Sequence, residues 1–306
     1  MLTADRPVGR LTPRLTWIWR DQTIAYQQYG DQGSPVLLIH GFGAHSDHWR
    51  HTWPDLARSH RVYALDLLGF GQSDKPQPNQ PLPYTFSTWG ELGRDFIQQV
   101  IGEPAFVVGN SIGCVVALQM AVLGAEWVRG ITMINCSLRL MHERHLAQAG
   151  WVQRWGTPLV QAVLGWPPLG SLFFRQIAQP QALRSILRQA YVRDQAVSDE
   201  LIELLLAPAR SPGAVEVFLA FIGYSQGPLP EDLLPLVSCP VLILWGERDP
   251  WEPIDLGRQL ADYPCVEDFI PLPGVGHCPQ DEAPELVNPV LEQWLERHAA
   301  GVPKTP

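Results

Sequence analysis

In "VVGNSIGC", Val107 to Cys114, one serine stands between two glycines directly after a run of β-branched residues. A serine hydroxyl is a weak nucleophile until a base takes its proton, so this serine can do chemistry only beside a histidine and a group that orients it. The G-x-S-x-G spacing alone is cheap, because turns use Gly and Ser for ordinary reasons. Of nine histidines, His277 is the best placed, in the Gly/Pro-punctuated stretch "LPGVGHCPQDEAPE" after the last apolar run. Asp249, in "LWGERDPW", follows another apolar run and is the expected orienting acid; Glu247, two residues earlier, is its rival and reads better as a solvated loop charge. Attack on a carbonyl creates an oxyanion that needs donors. The backbone N–H groups of Phe42, in "IHGFGAH" (39–45), and of Ile112, after the serine, are the candidates.

Other polar residues read more simply. Asp281 and Glu282 follow His277 too closely to face its ring and suit the first turn of a helix. His45, His48 and His51 lie near Asp47 at spacings of three, but no ligand pair among them has a recognised site spacing, and no metal is expected. His40 is expected to support the oxyanion loop, and Asp66, in "ALDLLGFGQSD", to anchor the turn that includes Phe70 and Gly71.

These residues must be positioned by secondary structure. "LTWIWRD" and "TIAYQQYG" (15–30) alternate around a short Asp21-Gln22 connection and predict an antiparallel hairpin. Residues 35–41, 61–67, 105–110, 129–136 and 240–246 are short, nearly continuous apolar runs, which suit strands buried on both faces of a parallel sheet. Helical patterns at 87–102 and 112–125 alternate with them, and the sheet resumes after 240 with a helix near 254–263, a strand at 267–274 and a closing helix near 284–298. The alternation predicts an α/β class with a doubly wound, mostly parallel central sheet. The rhythm breaks over 137–235, expected to be a helical cap inserted into a core formed by 1–136 and 236–306. Ser111 then sits where a buried strand turns sharply into a helix, the context a nucleophile elbow requires. The glycines on either side let strand and helix approach closely, and the helix N-terminus favours developing negative charge.

Composition narrows the classes. In a chain of 306 residues, 46% are hydrophobic, ample for a sizeable core, and net charge is −9, with Lys75 and Lys304 the only lysines. An acidic chain with no basic run is a poor nucleic-acid binder. Cys114, Cys136, Cys239, Cys265 and Cys278 are scattered without C-x-x-C spacing and read as reduced thiols of an intracellular chain; "MLTADRPVGRLTPRL" has no apolar h-region to suggest secretion. Gly156 to Phe174 carries no charge over 19 residues but is broken by Pro167-Pro168. It is expected to be a greasy lid over an apolar pocket, with shallow insertion into a membrane surface as the alternative. Trp151, Trp155 and Trp166 lie in or beside it.

"HGFG", "VYALDLLGFGQSDKP", "VVGNSIGC", "LILWGERDPW" and "GVGHCPQDEAP" stand in an order that resembles the α/β-hydrolase superfamily, over nearly the whole chain outside the cap. The order Ser111, Asp249, His277 is the one that superfamily shows. Some relatives carry the acid after the elbow's following strand, where this chain has Asn135, Cys136 and Ser137, none a carboxylate, which favours Asp249. Within the superfamily, Asn110 before the serine, "DPW" and "GHCPQDEAPELVN" (276–288) resemble the pheophytinase and chlorophyll-dephytylase group. Cys114 departs from the pattern, since relatives usually carry a second glycine there. The resemblance implies a serine carboxylester hydrolase working through an acyl-enzyme without a cofactor. Its expected partner is a small apolar ester, and the phytyl ester of a chlorophyll pigment is the leading substrate. Two alternatives remain: a carbon–carbon bond hydrolase of the meta-cleavage type, whose members also show Gly-Asn-Ser but usually carry a tryptophan where this chain has Cys278, and a slow-turnover ligand-sensing receptor.

Overall fold

Residues 14–148, 150, 161 and 163–299 are described by the structure, a computed structural model. The strands are β1 (Leu15–Trp19), β2 (Gln22–Tyr29), β3 (Pro35–Ile39), β4 (Arg61–Leu65), β5 (Ala105–Asn110), β6 (Val128–Ile134), β7 (Val241–Gly246) and β8 (Val266–Leu272). They form one sheet in the order β1-β2-β4-β3-β5-β6-β7-β8. β1 pairs with β2, and β2 with β4, antiparallel; from β4 onward the pairing is parallel. The expected α/β sheet is therefore present, with an antiparallel hairpin at one edge.

The sheet's centre follows from the apolar runs. Every residue of β3, β5 and β7 is buried. Because successive side chains of a strand point to opposite faces, Leu37 and Ile39 join one core while Val36 and Leu38 join the other. The helices α1 (Trp53–Leu56), α2 (Phe86–Phe96) and α3 (Ile112–Leu123) divide between these cores, α2 and α3 packing together against the first face. Truncating a side chain buried this way, such as Leu38→Ala, costs about 2–5 kcal/mol by lost transfer energy and the cavity left behind.

Between β6 and β7 the chain is helical among its described residues: α4 (Glu143–Gln148), α5 (Pro167–Ile177), α6 (Pro180–Ala190), α7 (Asp199–Ala209), α8 (Ala214–Ile222) and α9 (Pro230–Leu233). Leu187 on α6 and Leu201, Ile202, Leu205 and Leu206 on α7 form a third cluster with Ala44 and Cys278 of the sheet's loops. Trp151 and Trp155, and residues 156–160 and 162 of the uncharged stretch, lie outside the described residues. No single helix among the described residues is long and apolar enough to cross a membrane; α7 and α8 qualify only as a pair bent by 92°. After β7 come α10 (Ile254–Gly257), α11 (Pro279–Glu282) and α12 (Pro284–Ala299), which packs on the second core.

Three local readings change. The hairpin turn is Arg20-Asp21, both at positive φ (47° and 62°), and Gln22 already pairs with Trp19. A two-residue turn with both residues left-handed matches the twist of the flanking strands. β6 stops at Ile134 because Asn135 adopts φ 45° and leaves the strand. The helix expected over 254–263 is a single α-turn followed by 3-10 turns over Arg258–Asp262. Gly257, at the changeover, lies so close to Trp245 that a Cβ would meet the indole at 2.7 Å.

Candidate active site

β3 and β5 are neighbours, while β4 lies on β3's other side, so the strand order reverses between them. Ligands of α/β sheets gather outside the strands' carboxyl ends at such a point. The loop after β3 carries Phe42, and the turn after β5 carries Ser111. Ser111 adopts φ 54° and ψ −120°, a left-handed conformation that side chains other than glycine rarely take. The neighbouring glycines explain how the turn closes. A Cβ on Gly109 would stand 2.4 Å from the Gly113 carbonyl oxygen, and one on Gly113 would stand 2.4 Å from that of Ile39. The strain presents the serine at the start of α3, and its hydroxyl makes no hydrogen bond to a described residue.

His277 follows β8, and Asp249 follows β7. The imidazole Nδ1 and the Asp249 Oδ2 are 2.7 Å apart, both side chains buried. Nδ1 therefore donates, which leaves Nε2 as the ring's acceptor. Asp249 is fixed by three further donors: Asn135 Nδ2 to Oδ2 at 2.7 Å, and the Trp251 and Glu252 backbone N–H groups to Oδ1 at 2.9 and 3.1 Å. Glu247 is exposed. The histidine loop is tied down as well. The His277 N–H donates to the Ala190 carbonyl at 2.8 Å, and Asn110 Nδ2 donates to the His277 carbonyl at 3.2 Å. The residue preceding the serine thus holds the histidine segment beside the elbow.

Ser111 and His277 line one cavity of about 620 Å³, together with Phe42 and Ile112. Neither the Phe42 nor the Ile112 N–H has an acceptor among the described residues, so both donors are free to meet a developing oxyanion. Most of the wall is apolar, with Phe174, Leu187, Leu205, Leu206, Phe218 and Phe221 supplied by the β6–β7 helices. Phe42 stacks on Phe221 at 4.3 Å between ring centroids, which joins the oxyanion loop to α8.

The remaining expected residues fall into supporting places. His40 accepts the Leu67 N–H at Nε2 (3.1 Å) and lies 2.8 Å through Nδ1 from the Gly41 carbonyl, bracing the loop before Phe42. Burial lowers it to about 4, so it is neutral at physiological pH. Asp66 accepts the Ser46 and Gln72 N–H groups and pairs with Arg14. His45 faces the Leu204 carbonyl, and His48 the Tyr191 hydroxyl at 2.9 Å. Among the described residues no group of acidic, histidine or cysteine side chains could hold a metal ion.

Five contributors escape a reading by motif. Asn135 orients Asp249, and Asn110 bridges the elbow and the histidine loop. Glu282, read as a helix first-turn acid, is buried and accepts from Gly276, Val192 and Arg193 N–H groups (2.8, 2.7 and 2.7 Å), clamping the histidine loop to the end of α6. Asp281 is likewise buried, taking the Tyr191 hydroxyl at 2.8 Å and pairing with Arg50. Glu252, the fifth, lies buried in the cavity wall. Only Asn110 carried a signal, its place beside the serine.

Comparison with known proteins agrees with this architecture. The profile of the alpha/beta hydrolase family matches residues 36–290. The chloroplastic pheophytinase of Arabidopsis thaliana is 25% identical over 87% of this chain, which spans 62% of that protein's length. The 2-hydroxymuconate semialdehyde hydrolase of Pseudomonas sp. (strain CF600) is 29% identical over 88% of this chain and 90% of its own. An alpha/beta hydrolase fold protein from Burkholderia ambifaria superposes with a TM-score of 0.71 at 24% identity, covering 93% of this chain and 98% of that one. With the profile spanning most of the chain, and the sheet, elbow and loops in the matching order, the chain belongs to the alpha/beta hydrolase family.

Proposed function

We propose that this hydrolase cleaves carboxylic esters with a large apolar part through a serine acyl-enzyme. Ser111 attacks the carbonyl as His277 Nε2 takes its proton; Asp249 holds the ring and stabilises its protonated form. The Phe42 and Ile112 N–H groups receive the oxyanion, His277 returns the proton to the leaving alcohol, and water then releases the acid. The observation that carries this reading is the His277–Asp249 pair at 2.7 Å opening onto the same apolar cavity as the strained Ser111. The β6–β7 helices act in it as the cap, supplying most of the apolar wall. The phytyl ester of chlorophyll or pheophytin is the substrate we favour, supported by the similarity to pheophytinase and by a cavity suited to a branched alkyl chain. A second reading, carbon–carbon bond hydrolysis, draws support from the similarity to 2-hydroxymuconate semialdehyde hydrolase over nearly that protein's full length.

One experiment separates them. Purified protein is incubated in mild detergent with chlorophyll a, pheophytin a, p-nitrophenyl esters of graded chain length and a meta-cleavage dienoate. Chlorophyllide or pheophorbide with free phytol is expected. Ester cleavage without pigment cleavage overturns the phytyl assignment and leaves the esterase; cleavage of the dienoate alone overturns both.

A further inference from the structure

The cavity lining carries polar groups as well as apolar side chains. Glu252 is its one acidic residue among the described lining, it is 8% exposed, and it forms no ion pair with a described residue. Its carboxyl is held at both oxygens, by the Ser137 hydroxyl at Oε1 and by the Leu138 N–H at Oε2, each at 3.1 Å. Ser137 also lines the cavity, and its Oγ accepts the Arg139 N–H at 3.4 Å. Outside the candidate triad and the oxyanion donors, several other polar lining groups are occupied. Arg139 donates to the carbonyls of Pro228, Tyr224 and Gln226, His48 meets Tyr191, and His142 faces the Gly227 carbonyl.

We propose that Ser137 and Glu252, held beside the elbow by the Ser137 N–H to Ser111 carbonyl bond at 3.2 Å, form a polar subsite that binds a second oxygen acceptor, a carbonyl distinct from that of the scissile ester, on an otherwise apolar substrate. This deepens the ester-hydrolase reading and rests on it for the identity of the reaction. When Glu252 is protonated, its O–H donates to Ser137 Oγ, which already accepts from Arg139. The serine's own hydrogen is then free to point into the cavity and donate to the ligand. When Glu252 is ionised, Ser137 must donate to it, and the subsite presents only lone pairs and a negative charge. Burial raises Glu252 to about 7, with Asp249 raising it further and the Leu138 N–H, His277 and Ser137 opposing, so the exchange falls in the neutral range. The groups facing it are Asp249 on its own loop, His277 after β8, and Cys136 and Ser137 after β6. The acceptor-binding form therefore holds below about pH 7 and is lost above it.

The test compares a medium-chain p-nitrophenyl alkanoate with positional isomers carrying one keto oxygen along the same chain. Taking the ratio of kcat/KM values cancels the titration of the shared catalytic base. In the wild type, one isomer is expected to be preferred about fivefold at mildly acidic pH, the worth of one net hydrogen bond, and the preference to vanish above neutrality. Ser137→Ala should erase the preference at every pH. Glu252→Gln should keep it without pH dependence, because the amide N–H₂ still donates to Ser137 Oγ. A wild-type ratio near unity for all isomers, or a preference surviving in Ser137→Ala, overturns the subsite. The same comparison by calorimetry, with a medium-chain monoketone and matched diketones, needs no turnover. A pH-dependent preference there, with no ester cleaved, would overturn the esterase and uphold the subsite; no preference would overturn the subsite.

Discussion

The Ser111 hydroxyl has no hydrogen-bonded neighbour to lose, so its removal tests chemistry with little structural cost. Ser111→Ala is expected to abolish ester hydrolysis and leave the thermal unfolding midpoint within a degree or so, with a serine-directed phosphonate labelling only the wild type. Asp249→Asn would present an amide to Nδ1 and turn the ring to the wrong tautomer, with an expected fall in kcat of about 10⁴-fold. Glu247→Gln should change nothing, and a reversed pair of results would reassign the acid. Glu252 makes a different, thermodynamic prediction. Its carboxyl is raised by burial from 4.5 to about 7, so between those values the folded chain binds more protons than the unfolded one. Wild-type stability therefore falls as pH rises through this window, by up to about 3 kcal/mol. Glu252→Gln should flatten the window and gain on the wild type at alkaline pH, measured by denaturant unfolding on both sides of neutrality. A variant whose deficit or gain is the same at both pH values would refute the shift. His40 and His48, both lowered to about 4 by burial, act with the opposite sign: their stabilisation is complete above about 6.5 and lost as pH falls through 4.

At the scale of elements, the site is built by five strand ends, with Phe42 after β3, Ser111 after β5, Asn135 after β6, Asp249 after β7 and His277 after β8. Much of this was legible. The continuous apolar runs marked β3, β5 and β7, and glycine spacing marked the elbow, because both signals are local. The Gly113 contact makes the second checkable: Gly113→Ala would push a methyl to 2.4 Å from the Ile39 carbonyl, backbone that cannot move alone. An expected loss of about 2–4 kcal/mol in stability, with near-complete loss of activity, follows from that overlap. A normally stable Gly113→Ala would mean that strand and helix are farther apart. What was not legible depends on distant pairings. Asn135 lies 114 residues from Asp249 in sequence and reaches it only because φ 45° turns it out of β6. Glu282 does stand in the first turn of α11, as its position suggested, but its partners Val192 and Arg193 come from just after α6, 90 and 89 residues away. The helix after β7 was overextended because apolar spacing cannot register a glycine pressed on Trp245.

For the whole molecule, the proposed ester hydrolysis raises the question of how an apolar ester would reach a buried serine. Each methylene buried in the cavity is worth about 0.8 kcal/mol, near fourfold in kcat/KM, so longer chains should gain until about 620 Å³ is filled. Substrates that apolar reside in membranes, and the outer face of the β6–β7 helices is suited to meet them. Trp166, Leu169, Leu172 and Phe173 are each at least 40% exposed, spaced along one side of α5 and its start. Leu140 and Met141 are exposed too and also line the cavity. We propose that this face docks on lipid, with Trp166 at the headgroup level where indole rings concentrate. The net charge of −9 disfavours anionic bilayers, so the partner is a zwitterionic surface, and binding should depend on apolar contact more than on salt. Phosphatidylcholine vesicles should carry the wild type upward in a flotation gradient at low and high ionic strength. Leu172→Asp/Phe173→Asp places two charges on the docking face, outside the cavity lining, and is expected to stay at the bottom while cleaving water-soluble short-chain esters at the wild-type rate. Equal partitioning of the two proteins would show that the face does not meet lipid, and that the helices serve the pocket alone.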